Sequence, residues 1–360
     1  MARIDSFLRL VAEQQASDLH FHAGNPPIIR HDGDLLPLPF RTLSKDEVRR
    51  FIYEILTPEQ RVDFERDNEL DLIYVLEGVA RFRTNVMVQS HGMGAVFRII
   101  PHRLPRIDEL MLPPAVRKLT QLQNGLVLVC GPTGSGKTTT LAAMVHEINQ
   151  TSQRHVITIE DPIEFLHHPV QSAITQRQVG KHTESFASAL RSALREAPDV
   201  LVVGEMRDRD TITLALSATE TGVLAFGTLH TNSAAKAIDR IIDAVGEEGA
   251  EQMRGVLSVL LRAVISQQLC KRANSDGRVA TLEILLQNYA VAHMIRENKL
   301  HQLEGYLQTA SNDGSGAQSL DHAIFGFVRE GLVTLEEGMR VASYPEQLKK
   351  LVVELPQEAA

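Results

Sequence analysis

The chain has 360 residues, a net charge of -8 and no tryptophan. That length predicts two domains, each with room for its own core. The acidic balance and few aromatics weigh against a nucleic-acid machine, which carries a basic stripe or stacking platforms. Two cysteines, Cys130 and Cys270, make neither a disulfide framework nor a zinc site. Arg3, Asp5 and Arg9 interrupt any apolar region at the N-terminus, which argues against a signal peptide. No apolar run is long enough to span a bilayer. The expectation is a soluble cytoplasmic protein without direct membrane insertion, able to meet a membrane by docking on other proteins.

Ile4, Phe7, Leu8 and Val11 predict a first amphipathic helix. Ala16 to His22 predicts a strand that ends at the Gly24-Asn25-Pro26-Pro27 turn. His20 and His22 share one face of it and lack a third metal ligand nearby, so they read as solvated or hydrogen-bonded. Ile28 to Gly33 predicts a hairpin, and Ser44-Lys45-Asp46-Glu47 a capping box for a helix with Val48, Phe51, Ile52 and Ile55. Asp71 to Ile100 alternates and predicts a small antiparallel sheet. Residues 1–100 thus form an α+β domain. Pro101, Pro105, Pro113 and Pro114 predict an extended linker over 101–114.

Leu126 to Cys130 reads as a buried parallel strand. It runs into Gly131-Pro132-Thr133-Gly134-Ser135-Gly136-Lys137-Thr138, with Thr139 and Thr140 behind it. The run matches G-x-x-x-x-G-K-[ST], a loop whose backbone N–H groups cradle phosphates. Lys137 reaches the β- and γ-phosphates, and the Thr138 hydroxyl joins a Mg²⁺ shell. Leu141, Met144, Val145 and Ile148 fall on one face of the following helix, whose positive end faces the loop. Strand, loop and helix follow in the order the cradle needs, so residues 131–139 are predicted to bind ATP.

Strands are predicted next at His155–Glu160, Asp199–Glu205 and Val223–Thr228, with helices between them. The alternation predicts a parallel sheet covered on both faces. From Gln252 onward helices are predicted to dominate, with a mobile polar loop over Thr309–Gln318. Ligands of open α/β sheets lie beyond the carboxyl ends of the strands. Glu164 follows the second strand, Glu205 closes the third and His230 closes the fourth. One acid is needed for Mg²⁺ or its water and another for the attacking water. Glu205 and Glu164 are the candidates, with the two roles interchangeable at this stage.

Four runs carry a resemblance: Gly131 to Thr140, Ile157 to Glu164, Val203 to Asp208, and Gly227 to Ala234. In this order they are similar to the Walker A, Asp box, Walker B and His box of the secretion ATPase superfamily. The likeness runs over nearly the whole chain and points to the type IV pilus retraction ATPases within it. It implies a PAS-like N-terminal domain (1–100) and a RecA-like core (115–270), after which the predicted helices make a C-terminal helical region (271–360). It implies a hexameric motor that hydrolyses ATP with Mg²⁺ and drives pilus disassembly. It further implies docking on a platform protein at the inner face of the cell membrane. By the same likeness Arg83 and Arg98, on the N-terminal sheet, would meet the charge of the transferring phosphoryl group.

Two departures stand out. Val223 occupies the place of a second His-box histidine. Ala290-Val291-Ala292-His293-Met294-Ile295 keeps the apolar spacing of the family's Ala-Ile-Arg-Asn-Leu-Ile element but lacks its Arg and Asn. The alternatives are a pilus-assembly or type II secretion ATPase and a nucleotide-gated scaffold without turnover. Against the first stand the missing four-cysteine zinc insert and the short N-terminal region; against the second, Lys137, Glu164 and Glu205.

Overall fold

The computed structural model describes residues 2–31, 33–100, 103–274, 277–311 and 313–353. It divides into two compact units, one ending at Arg103 and one beginning at Leu104. Asp32, in the predicted hairpin turn, and Pro101, in the predicted linker, lie outside the described residues.

The first unit holds a six-stranded antiparallel sheet. Its strands are β1 (Asp18–His22), β2 (Ile28–His31), β3 (Asp34–Pro37), β4 (Glu69–Leu76), β5 (Ala80–Gln89) and β6 (Gly92–Ile100), in the order β3-β2-β1-β6-β5-β4. One face buries Leu19, Phe21, Phe82 and Phe97 in a core shared with Leu8 and Val11 of the helix Asp5–Glu13 and Val48 and Ile52 of the helix Lys45–Ile55. The second helix begins at the predicted capping box, with Ser44 and Glu47 each satisfying the other's backbone N–H. A further helix, Pro58–Asp67, starts at an equivalent box of Thr57 and Gln60.

The opposite face is polar. Asp18 pairs with Arg98, and Arg98 with Arg83, across three adjacent strands, so the three side chains share that face. Asp18 is buried; its carboxylate accepts from Arg98 Nε at 2.7 Å and Ser17 Oγ at 2.7 Å, with Arg30 at 3.7 Å. His20 keeps its Nε2 buried without a partner, and no group of three His, Cys, Asp or Glu suited to a metal occurs among the described residues.

The second unit holds a seven-stranded sheet: β7 (Gly125–Cys130), β8 (His155–Glu160), β9 (Ala173–Gln178), β10 (Val200–Val203), β11 (Leu224–Leu229), β12 (Leu261–Lys271) and β13 (Arg278–Leu286). Its order is β13-β12-β7-β11-β10-β8-β9, parallel except for β13. Every residue of β7 is buried: Leu126, Leu128 and Cys130 enter one core and Val127 and Val129 the other. Helices on both faces make this strand a continuous apolar run rather than an alternating one.

Three expectations need correction. The region after Gln252 is not chiefly helical at first, because β12 and β13 extend the sheet as a hairpin that a boundary at residue 270 would cut. Apolar residues continue from Leu257 to Ile265, broken only by Ser258 and Arg262, across the end of the helix Glu247–Leu260 and the start of β12, so periodicity alone does not separate them. Residues 104–114 are not a free extended linker: Ile107 and Leu112 are buried in the second unit's core. The loop predicted as mobile over 309–318 is tied at its far end, where Ala317 is buried, Gln318 bridges Ile284 and Gln318 Nε2 donates to the Leu282 carbonyl; Asn312 lies outside the described residues.

Candidate active site

The carboxyl ends of β7, β11, β10 and β8 lie side by side in parallel register: Leu229 opposite Cys130, and Val203 opposite both Gly227 and Ile159. The loop 131–136 leaves β7 there and enters the helix Lys137–Thr151. Gly131 and Gly136 have φ of 148° and 84°, conformations open to glycine. A Cβ on Gly131 would also overlap the Gln267 carbonyl oxygen. Lys137 is buried, and its Nζ donates to the carbonyls of Gly131 (2.8 Å) and Pro132 (3.0 Å), holding the ammonium across the loop mouth. Burial lowers its pKa, opposed by the nearby Glu205 carboxylate. The Ser135 hydroxyl is buried in the loop without a partner. An unpaired donor in a glycine-lined nest, with a lysine folded over it, fits a phosphate group.

Glu205 is fixed by the backbone around it. Gly204 N–H donates to the Ile159 carbonyl on β8, and Met206 N–H to the Thr228 carbonyl on β11, so the pairing continues past the end of β10. The Glu205 carboxylate lies 2.6 Å from Arg207 and 3.3 Å from His230 Nε2. Burial by itself would raise its pKa, but the hydrogen bond from Arg207 and the proximity of His230 hold it below the usual carboxylate range. His230 Nδ1 in turn lies 3.4 Å from Thr133 Oγ1 in the loop. Thr133, His230, Glu205 and Arg207 thus form a continuous chain from the cradle to the third strand. Asp161 adds its field at Arg207, which brings the end of β8 into the same group.

Glu164 lies half-buried in the loop after β8, and its backbone N–H hydrogen-bonds the Glu160 carboxyl. Glu160 also accepts from Thr158 Oγ1 (2.6 Å) and Gln176 Nε2 (3.1 Å), and burial raises its pKa. With Thr138, Thr158, His167, Gly204 and Thr228 it lines a cavity of about 40 Å³ behind the cradle. Thr138 and Glu205 offer hard oxygen donors. A hydroxyl and one carboxylate, completed by phosphate oxygens and water, suit Mg²⁺ rather than a dedicated protein cage. Arg83 and Arg98 stand in the first unit, opposite one another in register.

Sequence reasoning missed Gln267 and Glu283, and gave Glu160, within the run at the end of the second strand, no role of its own. Gln267 had little signal of its own, standing between Ser266 and Gln268 in a polar stretch that follows Ala263-Val264-Ile265. Glu283, on β13, accepts the Ala234 N–H (2.7 Å) at the start of the helix Ala234–Ala244, just beyond the His230 loop. Burial pushes its carboxyl up to about 7 although that hydrogen bond favours the anion; Glu304 and Asp321 raise it further. The folded state therefore holds the proton more tightly than the unfolded chain. The resulting stability is full below the unfolded value of 4.5 and lost as pH rises through about 7. Glu283→Gln keeps the acceptor and cannot ionise. Relative to this variant, wild type should lose on the order of 2–3 kcal/mol between about pH 5 and about pH 8. A stability difference between the two that is constant across that range would contradict the burial argument.

Fold and site together define a P-loop ATPase, and the chain belongs to the type II/IV secretion system protein family, whose model matches residues 2–340. It is 47% identical over 343 residues to the type IV pilus retraction ATPase PilT of Pseudomonas aeruginosa, covering 95% of this chain and 99% of that one. It is 36% identical to the type IV pilus ATPase PilU of the same organism, covering 97% and 91%. The crystal structure of the pilus retraction motor PilT with bound ADP superposes with a TM-score of 0.87 at 41% identity, covering 97% of this chain and all of that one.

Proposed function

We propose that this protein hydrolyses ATP to drive type IV pilus retraction, as a hexameric ring docked on a platform protein at the inner face of the cell membrane. The observation that carries the reading is the chain Thr133–His230–Glu205–Arg207, which couples the phosphate cradle to the acid of the third strand. Residues 131–139 hold the triphosphate, with Lys137 on the β- and γ-phosphates. Thr138 and Glu205 would hold Mg²⁺, which when bound would neutralise charge on the phosphate oxygens. Glu205 is kept anionic by Arg207 and His230 and is a poor proton acceptor. Glu164 is therefore assigned as the base. A water oxygen attacks the γ-phosphorus, the bond to the bridging oxygen breaks, ADP leaves, and the water proton passes to the Glu164 carboxylate. His230 keeps Glu205 aligned with Thr133.

Likeness to the retraction ATPases is what supports assigning Arg83 and Arg98 to the charge of the transferring phosphoryl group. Arg98 also serves buried Asp18, so Arg98→Ala would disturb the sheet as well as the reaction. Arg83→Ala is the cleaner variant. It should lower kcat by about tenfold or more while ATP affinity stays nearly unchanged, because transition-state charge is what the guanidinium meets. Loss of affinity with unchanged kcat would remove Arg83 from the reaction.

Retraction as the output is supported by the likeness to a retraction ATPase over nearly the full length. The divergent element Ala290–Ile295 keeps its packing: Val291, Ala292, Met294 and Ile295 are buried and His293 is exposed in the helix Tyr289–Arg296. Deleting the gene should leave cells with excess surface pili and no twitching motility. Absent pili would instead indicate an assembly motor.

A further inference from the structure

We propose that Gln267 is a positioning residue for the phosphate cradle, holding the Ser135 carbonyl outward and the helix's first turn in place; the proposal rests on the nucleotide reading of that loop. Gln267 sits on β12, the neighbour of β7, and its side chain is 1% exposed, so both ends of its amide need partners inside the protein. One partner lies in the cradle and the other in the first turn of the helix that leaves it. Nε2 donates to the Ser135 carbonyl at 2.6 Å, and Oε1 accepts from Thr140 Oγ1 at 2.7 Å.

The first bond decides the polarity of the loop. In a planar trans peptide the C=O and the following N–H point to opposite sides. Drawing the Ser135 carbonyl towards β12 therefore turns the Gly136 N–H away from β12. Released, that carbonyl would be free to rotate towards a bound phosphate and repel it. The second bond ties the helix Lys137–Thr151 to the same side chain, one turn beyond Lys137. The backbone of Gln267 closes the other end, because its carbonyl oxygen fills the space a Gly131 side chain would need. One residue thus braces the loop at its entry, at the Ser135 carbonyl and at the first helical turn. A satisfied core amide that served only the packing of β12 would not need to join the cradle loop to the helix that leaves it.

The role concerns the β-phosphate end of the nest, so ADP and ATP should suffer alike. Gln267→Met keeps the volume and removes both bonds. It should weaken ADP and ATP by the same factor, about tenfold or more, measured by titration of a fluorescent nucleotide on protein shown to be folded. Thr140→Val should weaken both by a smaller factor and Thr140→Ser should restore wild-type binding, since only the hydroxyl matters. A role in stability alone would lower the melting temperature and leave the affinity of the folded protein untouched. ADP affinity within about twofold of wild type in folded Gln267→Met would overturn the proposal. If that variant does not fold, equal affinities in Thr140→Val and Thr140→Ser would overturn it instead. Wild-type protein that binds no nucleotide would overturn the reading of the loop itself.

Discussion

Glu205→Gln should bind ATP about as tightly as wild type and release phosphate at least about a hundredfold more slowly. The substitution keeps the size and planarity of the side chain. It removes the negative charge that faces Arg207 at 2.6 Å and His230 at 3.3 Å. That charge is stable at neutral pH, because the two partners hold the carboxyl below its ordinary range. The cradle's own contacts, from Lys137 to the Gly131 and Pro132 carbonyls, do not involve it. Binding and turnover therefore separate cleanly in this variant. Normal hydrolysis by Glu205→Gln would mean that the end of the third strand plays no part in the chemistry.

Lys137→Ala should do the opposite and act first on binding. The ammonium is the one cation of the loop 131–139 and is buried across its mouth. Without it the γ-phosphate loses its point charge and the loop loses two hydrogen bonds. ATP affinity should fall by about a hundredfold or more, and ADP affinity by less, because the lysine reaches the terminal phosphate. The folded protein should persist, since the ammonium is itself desolvated and its removal relieves that cost. Unchanged affinity and turnover in Lys137→Ala would rule out the loop as the nucleotide site.

The parts of this site that were legible in the sequence are those in which local pattern and final position coincide. The apolar run Leu126–Cys130 followed by glycines and Lys137 specifies strand, loop and helix within one stretch. The box at Ser44–Glu47 likewise carries its own cap. What escaped depends on neighbours distant in the chain. β9 is an edge strand of polar and part-buried residues, without the apolar signature of its neighbours. β12 continues the apolar pattern of the helix before it, and its place beside β7 is set by packing across the sheet. Gln267 meets Ser135 only because of that placement, and Asp18 meets Arg98 only because β1 lies next to β6. The shared face of Arg83 and Arg98 follows from strand register, which alternation alone does not fix.

The account stands on triphosphate cleavage at the junction of the cradle and the strand-end acids. Phosphate release from purified, assembled wild-type protein with ATP and Mg²⁺, run beside Glu205→Gln, tests it most directly. Steady release by the wild type and none above background by the variant is the predicted result. Tight nucleotide binding with no release from the wild-type assembly would contradict it and leave a nucleotide-gated scaffold in place of a motor.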